Sequence, residues 1–253
     1  MTFLFVAGTP RSGGGSITSS FDSHPNVLVW PFHFKYFPFF RIISKNKGIA
    51  NVHVLNEALL EIFRDVFSNI VMQRDLKLQV GVNKNGFVDD QDLNVGGFSF
   101  EKFKKELLMQ QEEDVDAFNY LEIIFHAFQS ANSDYSGVEI DYFMMNLTSG
   151  RGLDWDNKKT LSKHKIIFPY RDEKYSYLSL KSRYFKKFPK YNLRRSFSPF
   201  SEKGLLYWLE HYCRLSKISG IRTGHPNFIV VPFTELQLSP NNILKSLCSK
   251  LSL

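Results

Sequence analysis

Apolar residues fall along this chain in short runs separated by glycine-rich or polar breaks. Phe3 to Ala7 is one such run, of strand length and buried character; it breaks over Gly8 to Gly15 and resumes as a short first helix over Ser16 to Ser23. Val27 to Val29 predicts a second short strand, Lys165 to Pro169 a central one and Phe228 to Val231 the last. Apolar positions near helical spacing predict helices over Asn56 to Arg74, Phe98 to Gln111, Asp114 to Ala131, Glu173 to Tyr184, Lys203 to Lys217 and Asn241 to Leu251. Asp75 to Gly97 reads as loop, Phe185 to Pro199 as a basic, aromatic loop, and Tyr142 to Asn157 takes no assignment. Strands alternating with helices predict the α/β class: three layers, α/β/α, around a central parallel sheet with a loop of the P-loop kind after its first strand. The expected organisation is a single domain over residues 1–253, with a helical insert across about 46–157.

The break after the first strand carries the first chemical signal. Glycine accepts backbone angles that other residues avoid, so Gly8 to Gly15 can turn back on itself, and the amides at the following helix start, with Arg11 beside them, suit a phosphate or sulfate. The loop differs from a nucleotide-triphosphate loop. Gly8 and Gly13 have the Walker spacing, but Gly14 stands where that motif needs lysine and Gly15 where it needs a magnesium-binding hydroxyl, which disfavours a P-loop kinase or ATPase.

Pro10, Arg11, Ser12 and Gly13, followed without a gap by Asp22, Ser23, His24, Pro25, Asn26 and Val27, resemble the phosphosulfate loop and first helix of the PAPS-dependent sulfotransferases, which commonly read P-[RK]-S-G-T-T and then D-x-H-P-x-[VIL]. Two later blocks are similar to the same family. Arg171 follows a strand-like run and Ser179 lies eight positions beyond it; Asn227 to Leu253 is similar to the family's closing strand and helix. The resemblance implies transfer of a sulfuryl group from PAPS to a hydroxyl-bearing acceptor, a carbohydrate or small metabolite, without a metal. It implies that Pro10, Arg11, Ser12, Gly13, Gly14, Gly15 and Ser16 hold the 5′-phosphosulfate, that Arg11 also serves the chemistry, and that Arg171 and Ser179 bind the 3′-phosphate.

For the general base the family uses glutamate or histidine, and His33 occupies the corresponding neighbourhood; neutral imidazole has a suitable pKa for the task. Plainer roles stay open: His33 as a packed ring, Arg171 with Asp172 as a surface pair, and the aromatic stretch around Phe34, Phe37, Phe39 and Phe40 as core rather than an acceptor wall. Gly14 and Gly15 depart from the family's threonine pair, and the chain stops at Leu253 where many relatives continue into a basic segment. A catalytically weak or inactive nucleotide- or anion-binding relative is therefore a second expectation.

Composition adds little beyond this. Thirty-two Lys and Arg against 25 Asp and Glu give a formal charge of +7, which suits an anionic ligand, while no nucleic-acid-binding motif accompanies the charge. Two cysteines, Cys213 and Cys248, cannot form a disulfide framework and are expected as small buried thiols in a reducing compartment. With no charged leader and no long apolar run, a cytoplasmic protein without a membrane anchor is expected. His24 is expected to close the first helix, the other histidines lack metal-ligand spacing, and the sequon at Asn146, Leu147 and Thr148 would be inert in cytosol. The sequence leaves the oligomeric state open.

Overall fold

The structure, a computed structural model, describes residues 1–8, 12–22, 24–34 (for 31–34 the backbone alone), 42–43, 45–46, 48–61, 98–111, 113–147, 164–179, 209, 213 and 224–253. They fall into two compact units, one of residues 1–34 and 140–253 and the other of residues 35–139. The first holds a five-stranded sheet, β1 (Thr2–Val6), β2 (Val27–Phe34), β5 (Tyr142–Leu147), β6 (Lys165–Tyr170) and β7 (Phe228–Pro232), in the order β2-β5-β1-β6-β7. All four pairings are parallel. With its flanking helices this is the α/β class that the alternation of runs predicts.

A parallel sheet covered on both faces needs apolar residues at every position, which is why its strands read as continuous runs rather than as alternations. Leu4 and Val6 of β1, Tyr142 and Met144 of β5, Ile167 of β6 and Val231 of β7 form one face. Against it pack Ile17 and Phe21 of α1 (Gly14–Phe21), Leu236 of a helix at Phe233–Leu238, and Leu247 and Leu251 of the closing helix at Pro240–Leu251. On the other face, Phe3 stacks beside Phe5 and meets Phe143, while Phe168 meets Phe228 at 5.4 Å. His164 is buried there, its ring 5.1 Å from that of Phe3. Each of these Phe rings withdrawn from water contributes roughly 1.5–3 kcal/mol, so the sheet is a firm base for whatever its ends carry.

Two strands differ from expectation. Tyr142–Leu147, which the sequence left unassigned, is an interior strand lying between β1 and β2. The second strand runs on from Val29 to Phe34, past an irregularity in its pairing with β5 between Val29 and His33. Pro31 lies in that irregular stretch, and a residue without an N–H is tolerated in a strand where the ladder is interrupted.

The second unit contains a short antiparallel pair, β3 (Ala50–Asn51) with β4 (Asp114–Val115), a helical segment α2 over residues 52–61, and two helices, α3 (Phe100–Leu108) and α4 (Ala117–Ala131). Ser99 caps α3 by accepting from Lys102 N, and Asp116 caps α4 by accepting from Phe118 N and Asn119 N. Asp114 and Val115, expected at the start of a helix, are instead in the strand pair, and the cap at Asp116 sets the helix start two residues later. Phe98, Phe103 and Phe128 close the α3–α4 contact, with Phe98 and Phe128 5.0 Å apart.

Among the described residues the first unit also holds α5, over residues 173–179, α6 (Phe233–Leu238) and α7 (Pro240–Leu251), and residues 209 and 213 are helical too. The loop expected at Asp75 to Gly97, the basic loop at Phe185 to Pro199, the aromatics Phe37, Phe39 and Phe40, and nearly all of the helix expected over Lys203 to Lys217 lie outside the described residues. Cys213 is exposed and Cys248 only partly covered, which corrects the expectation of buried thiols.

Candidate functional site

The carboxyl ends of β1, β5, β6 and β7 lie side by side at the point where the chain leaves the central strand, and this is where ligands bind in open parallel sheets. β1 sits in the middle: β5 and β2 lie on one side of it, β6 and β7 on the other. The turn out of β1 is held very close to β6. A Cβ on Gly8 would stand 2.1 Å from the Pro169 carbonyl oxygen, so no side chain fits there.

Gly13 is the N-cap of α1 and takes the left-handed conformation, φ 91°, which favours glycine. The first intrahelical bond runs from Ile17 N to Gly13 O, so the amides of Gly14, Gly15 and Ser16 have no helix carbonyl to donate to. Gly13 has no side chain with which to cap them, and the first turn carries no acidic residue. The positive end of the helix dipole thus meets no acidic side chain of its own first turn. Gly14 and Gly15 both lie in the helix, and among the described residues nothing stands within 4 Å of a Cβ placed on Gly15.

Beneath this first turn lies a residue that the sequence did not mark as part of a site. Asn146, near the end of β5, is buried, and its Oδ1 and Nδ2 are 3.4 and 3.5 Å from a Cβ placed on Gly14. Its Nδ2 donates to Thr18 Oγ1 at 3.4 Å, and the Thr18 hydroxyl lies 3.0 Å from the carbonyl oxygens of both Gly14 and Gly15. The pair ties the opening turn of α1 to the sheet. Asn146 is also the asparagine of the sequon, and its burial against α1 leaves no place for a glycan in the folded chain. The only sequence sign of its role was a polar residue inside an apolar run.

Arg171 is the first residue after β6 and Phe233 the first after β7. Because Tyr170 and Pro232 are partners in the ladder, the two side chains leave adjacent strands together, and the Arg171 guanidinium carbon lies 4.5 Å from the Phe233 ring centre. Two carbons of the same ring are 2.6 Å from a Cβ placed on Gly13. Arg171 and the glycine turn, 158 positions apart, are therefore gathered around one aromatic ring. Asp172, expected as a possible partner for Arg171, has a definite task of its own: its Oδ1 accepts from Lys174 N at 3.0 Å and from Tyr175 N at 3.4 Å, capping α5.

Ser179 lies on α5 one turn beyond the fully buried Ser176, on the partly covered side, while Tyr175 and Leu178 are turned to solvent. Ser12 is buried directly before the N-cap and Ser16 is exposed on the first turn. The backbone of His33 is paired with Asn146, which pairs on its other side with Val6, so these three positions form one row at the carboxyl end of the sheet. Pro10 and Arg11, and the His33 side chain, lie outside the described residues. His24 follows α1 as expected, its Nδ1 accepting from Asn26 N at 3.2 Å. Among the described residues no three His, Cys, Asp or Glu side chains come together as a metal site, and no described helix is long and apolar enough to cross a membrane.

The sulfotransferase domain of the curacin biosynthetic pathway is similar to the whole of this chain, which covers 74% of that domain, with a TM-score of 0.50 at 12% identity. The chain has a sulfotransferase fold. Sulfotransferase STF9 from Mycobacterium avium is similar over 98% of this chain and 63% of its own, with a TM-score of 0.49 and 13% identity. No family model matches the sequence, and no curated protein sequence does either. Within the sulfotransferase fold, the uncapped start of α1 and Arg171 stand at neighbouring strand ends, joined through Phe233.

Proposed function

We propose that this chain is a sulfotransferase that moves a sulfuryl group from PAPS to a hydroxyl of a carbohydrate or small metabolite by in-line transfer. The observation that carries the reading is the start of α1: three amides without helix partners, no acidic residue in the first turn, and a cationic Arg171 beside them across the Phe233 ring. These groups fit a nucleotide with an anion at each end. PAPS, when bound, supplies the activated sulfuryl group.

The residues divide the work. The amides of Gly14, Gly15 and Ser16, with Ser12, Gly13, Pro10 and Arg11, hold the 5′-phosphosulfate end and offset charge that builds on its oxygens. Arg171 and Ser179 hold the 3′-phosphate, the guanidinium through forked donors and the serine through its hydroxyl. Asn146 and Thr18 keep the first turn of α1 fixed, so no reorganisation of the amides is needed as the bond changes. His33, at the same end of the sheet, takes the proton of the acceptor hydroxyl.

A second reading is supported by Gly14 and Gly15, which bring no hydroxyl to the loop: a protein that binds the nucleotide and turns over slowly or not at all. The test is thermal unfolding with PAP and with ATP–magnesium, followed by a sulfuryl-transfer assay over a panel of hydroxyl acceptors. Ligand binding to the folded state raises the midpoint in proportion to affinity. Stabilisation by PAP and not by ATP–magnesium supports the site, and turnover separates the two readings. Equal or absent shifts with the two nucleotides would overturn the proposal.

A further inference from the structure

We propose that Phe233 is a positioning residue for the 3′-phosphate clamp, acting through the cation–π contact that holds the Arg171 guanidinium against the glycine turn; this rests on the proposed role of Arg171. Three observations converge on it. The Arg171 guanidinium carbon is 4.5 Å from the ring centre of Phe233, within reach of a cation–π attraction. The ring cannot drift toward the loop, because two of its carbons already occupy the space that a Gly13 side chain would need. Its backbone is fixed as well, since Phe233 opens α6 directly after Pro232, which is paired with Tyr170 in the ladder.

An arginine side chain has several rotatable bonds, and free in solvent it would sample many directions. Held over the ring, it makes an attraction that consumes none of its N–H donors. The ring thereby lowers the ordering cost that Arg171 would otherwise incur on taking up a phosphate. Gly13 is part of the same device. Only a residue without a side chain lets the ring lie this close to the turn, so the left-handed glycine that opens α1 also sets where the arginine stands.

The experiment replaces Phe233 with mono-, di- and trifluorophenylalanine, which keep the shape of the ring while weakening its negative face, in the parent and in Arg171→Ala. PAP and adenosine 5′-phosphosulfate, which lacks the 3′-phosphate, are titrated calorimetrically into each. The expected result is a stepwise loss of PAP affinity with fluorination, reaching about two- to fivefold for a partly exposed contact. No loss is expected for adenosine 5′-phosphosulfate, and none for either nucleotide once Arg171 is alanine. Phe233→Tyr keeps the ring face and is expected to bind PAP as the parent does, whereas Phe233→Leu loses affinity. A flat fluorination series in a protein whose PAP affinity still falls with Arg171→Ala overturns the role of Phe233 and leaves the clamp standing. Unchanged PAP affinity in Arg171→Ala itself overturns the clamp, and with it this inference.

Discussion

Alanine at Gly13 and alanine at Gly15, two residues apart in one loop, are expected to act with opposite sign. At Gly13 the backbone has φ 91°, where an L side chain costs roughly 1–2 kcal/mol. The new methyl would also meet the Phe233 ring at 2.6 Å, and overpacking of that kind costs roughly 1–3 kcal/mol. Some of this is relieved if the ring moves, but it cannot move without disturbing Arg171, so a net loss of about 2–4 kcal/mol is expected. At Gly15 the backbone is helical and, among the described residues, nothing lies within 4 Å of the new methyl. Alanine there reduces the freedom of the unfolded chain at no cost to the folded one, for a gain of about 0.4–1 kcal/mol. Gly14→Ala falls between, with its methyl in ordinary contact with Asn146 at 3.4 Å. Equilibrium urea unfolding, with the midpoints compared at unchanged slope, measures all three. A Gly13→Ala variant as stable as the parent, or a Gly15→Ala variant less stable than it, would falsify the assignment of conformations in this loop. Calorimetry on a threonine form extends the test to function: Gly15→Thr places a hydroxyl beside the first-turn amides and is expected to tighten PAP by roughly 1 kcal/mol.

Arg171→Ala and Ser179→Ala are each expected to weaken PAP while leaving adenosine 5′-phosphosulfate almost unaffected, the arginine by roughly 1.5–3 kcal/mol and the serine by less; equal losses for both nucleotides would refute a 3′-phosphate clamp. His33→Ala is expected to lower turnover by about 10² to 10⁴ with little change in PAP affinity, because a base acts on the acceptor; a near-normal rate moves the proton transfer to another group. Burial pushes the Tyr120 phenol well above its ordinary 10.0. Above pH 10 the unfolded chain therefore loses this proton first and binds fewer protons than the folded one, so stability falls as pH rises toward the folded value. Urea midpoints of the parent and Tyr120→Phe across alkaline pH check this, and a decline no steeper in the parent than in the variant would refute it.

The strands that the sequence revealed are those whose apolar runs end at strong punctuation. Phe3 to Ala7 ends at Gly8, and Lys165 to Pro169 ends near a charged pair, Arg171 and Asp172. β5 was hidden because its run, YFMMNL, carries an asparagine near its end, and that asparagine is polar for a reason visible only in three dimensions: it lies beneath the first turn of α1. α6 was hidden because it follows β7 with no intervening loop, and Pro232 serves as both strand end and helix cap. Among three consecutive glycines, nothing in the letters distinguishes Gly13, which needs a left-handed backbone, from Gly14 and Gly15, which are helical. Phe233 could have been suspected as the aromatic that directly follows the last apolar run and its proline. Its partners, Gly13 and Arg171, follow only from the pairing of Tyr170 with Pro232.

The position of β5 has a consequence for how this protein is made. The two strands at the amino terminus, β1 and β2, are joined by the short helix α1 and yet are not neighbours; the slot between them is filled by residues that leave the ribosome more than a hundred positions after β2. A nascent chain that has reached only the second unit holds both strands with their inner edges unpaired, exposed to wrong partners. The sheet can close only when Tyr142–Leu147 arrives and threads between them, a contact of long sequence separation that slows folding. The opening turn of α1 waits on the same event, since Asn146 arrives on that strand. Truncated chains ending before residue 142 should therefore be prone to aggregation and unable to bind PAP, even though they contain the entire glycine loop.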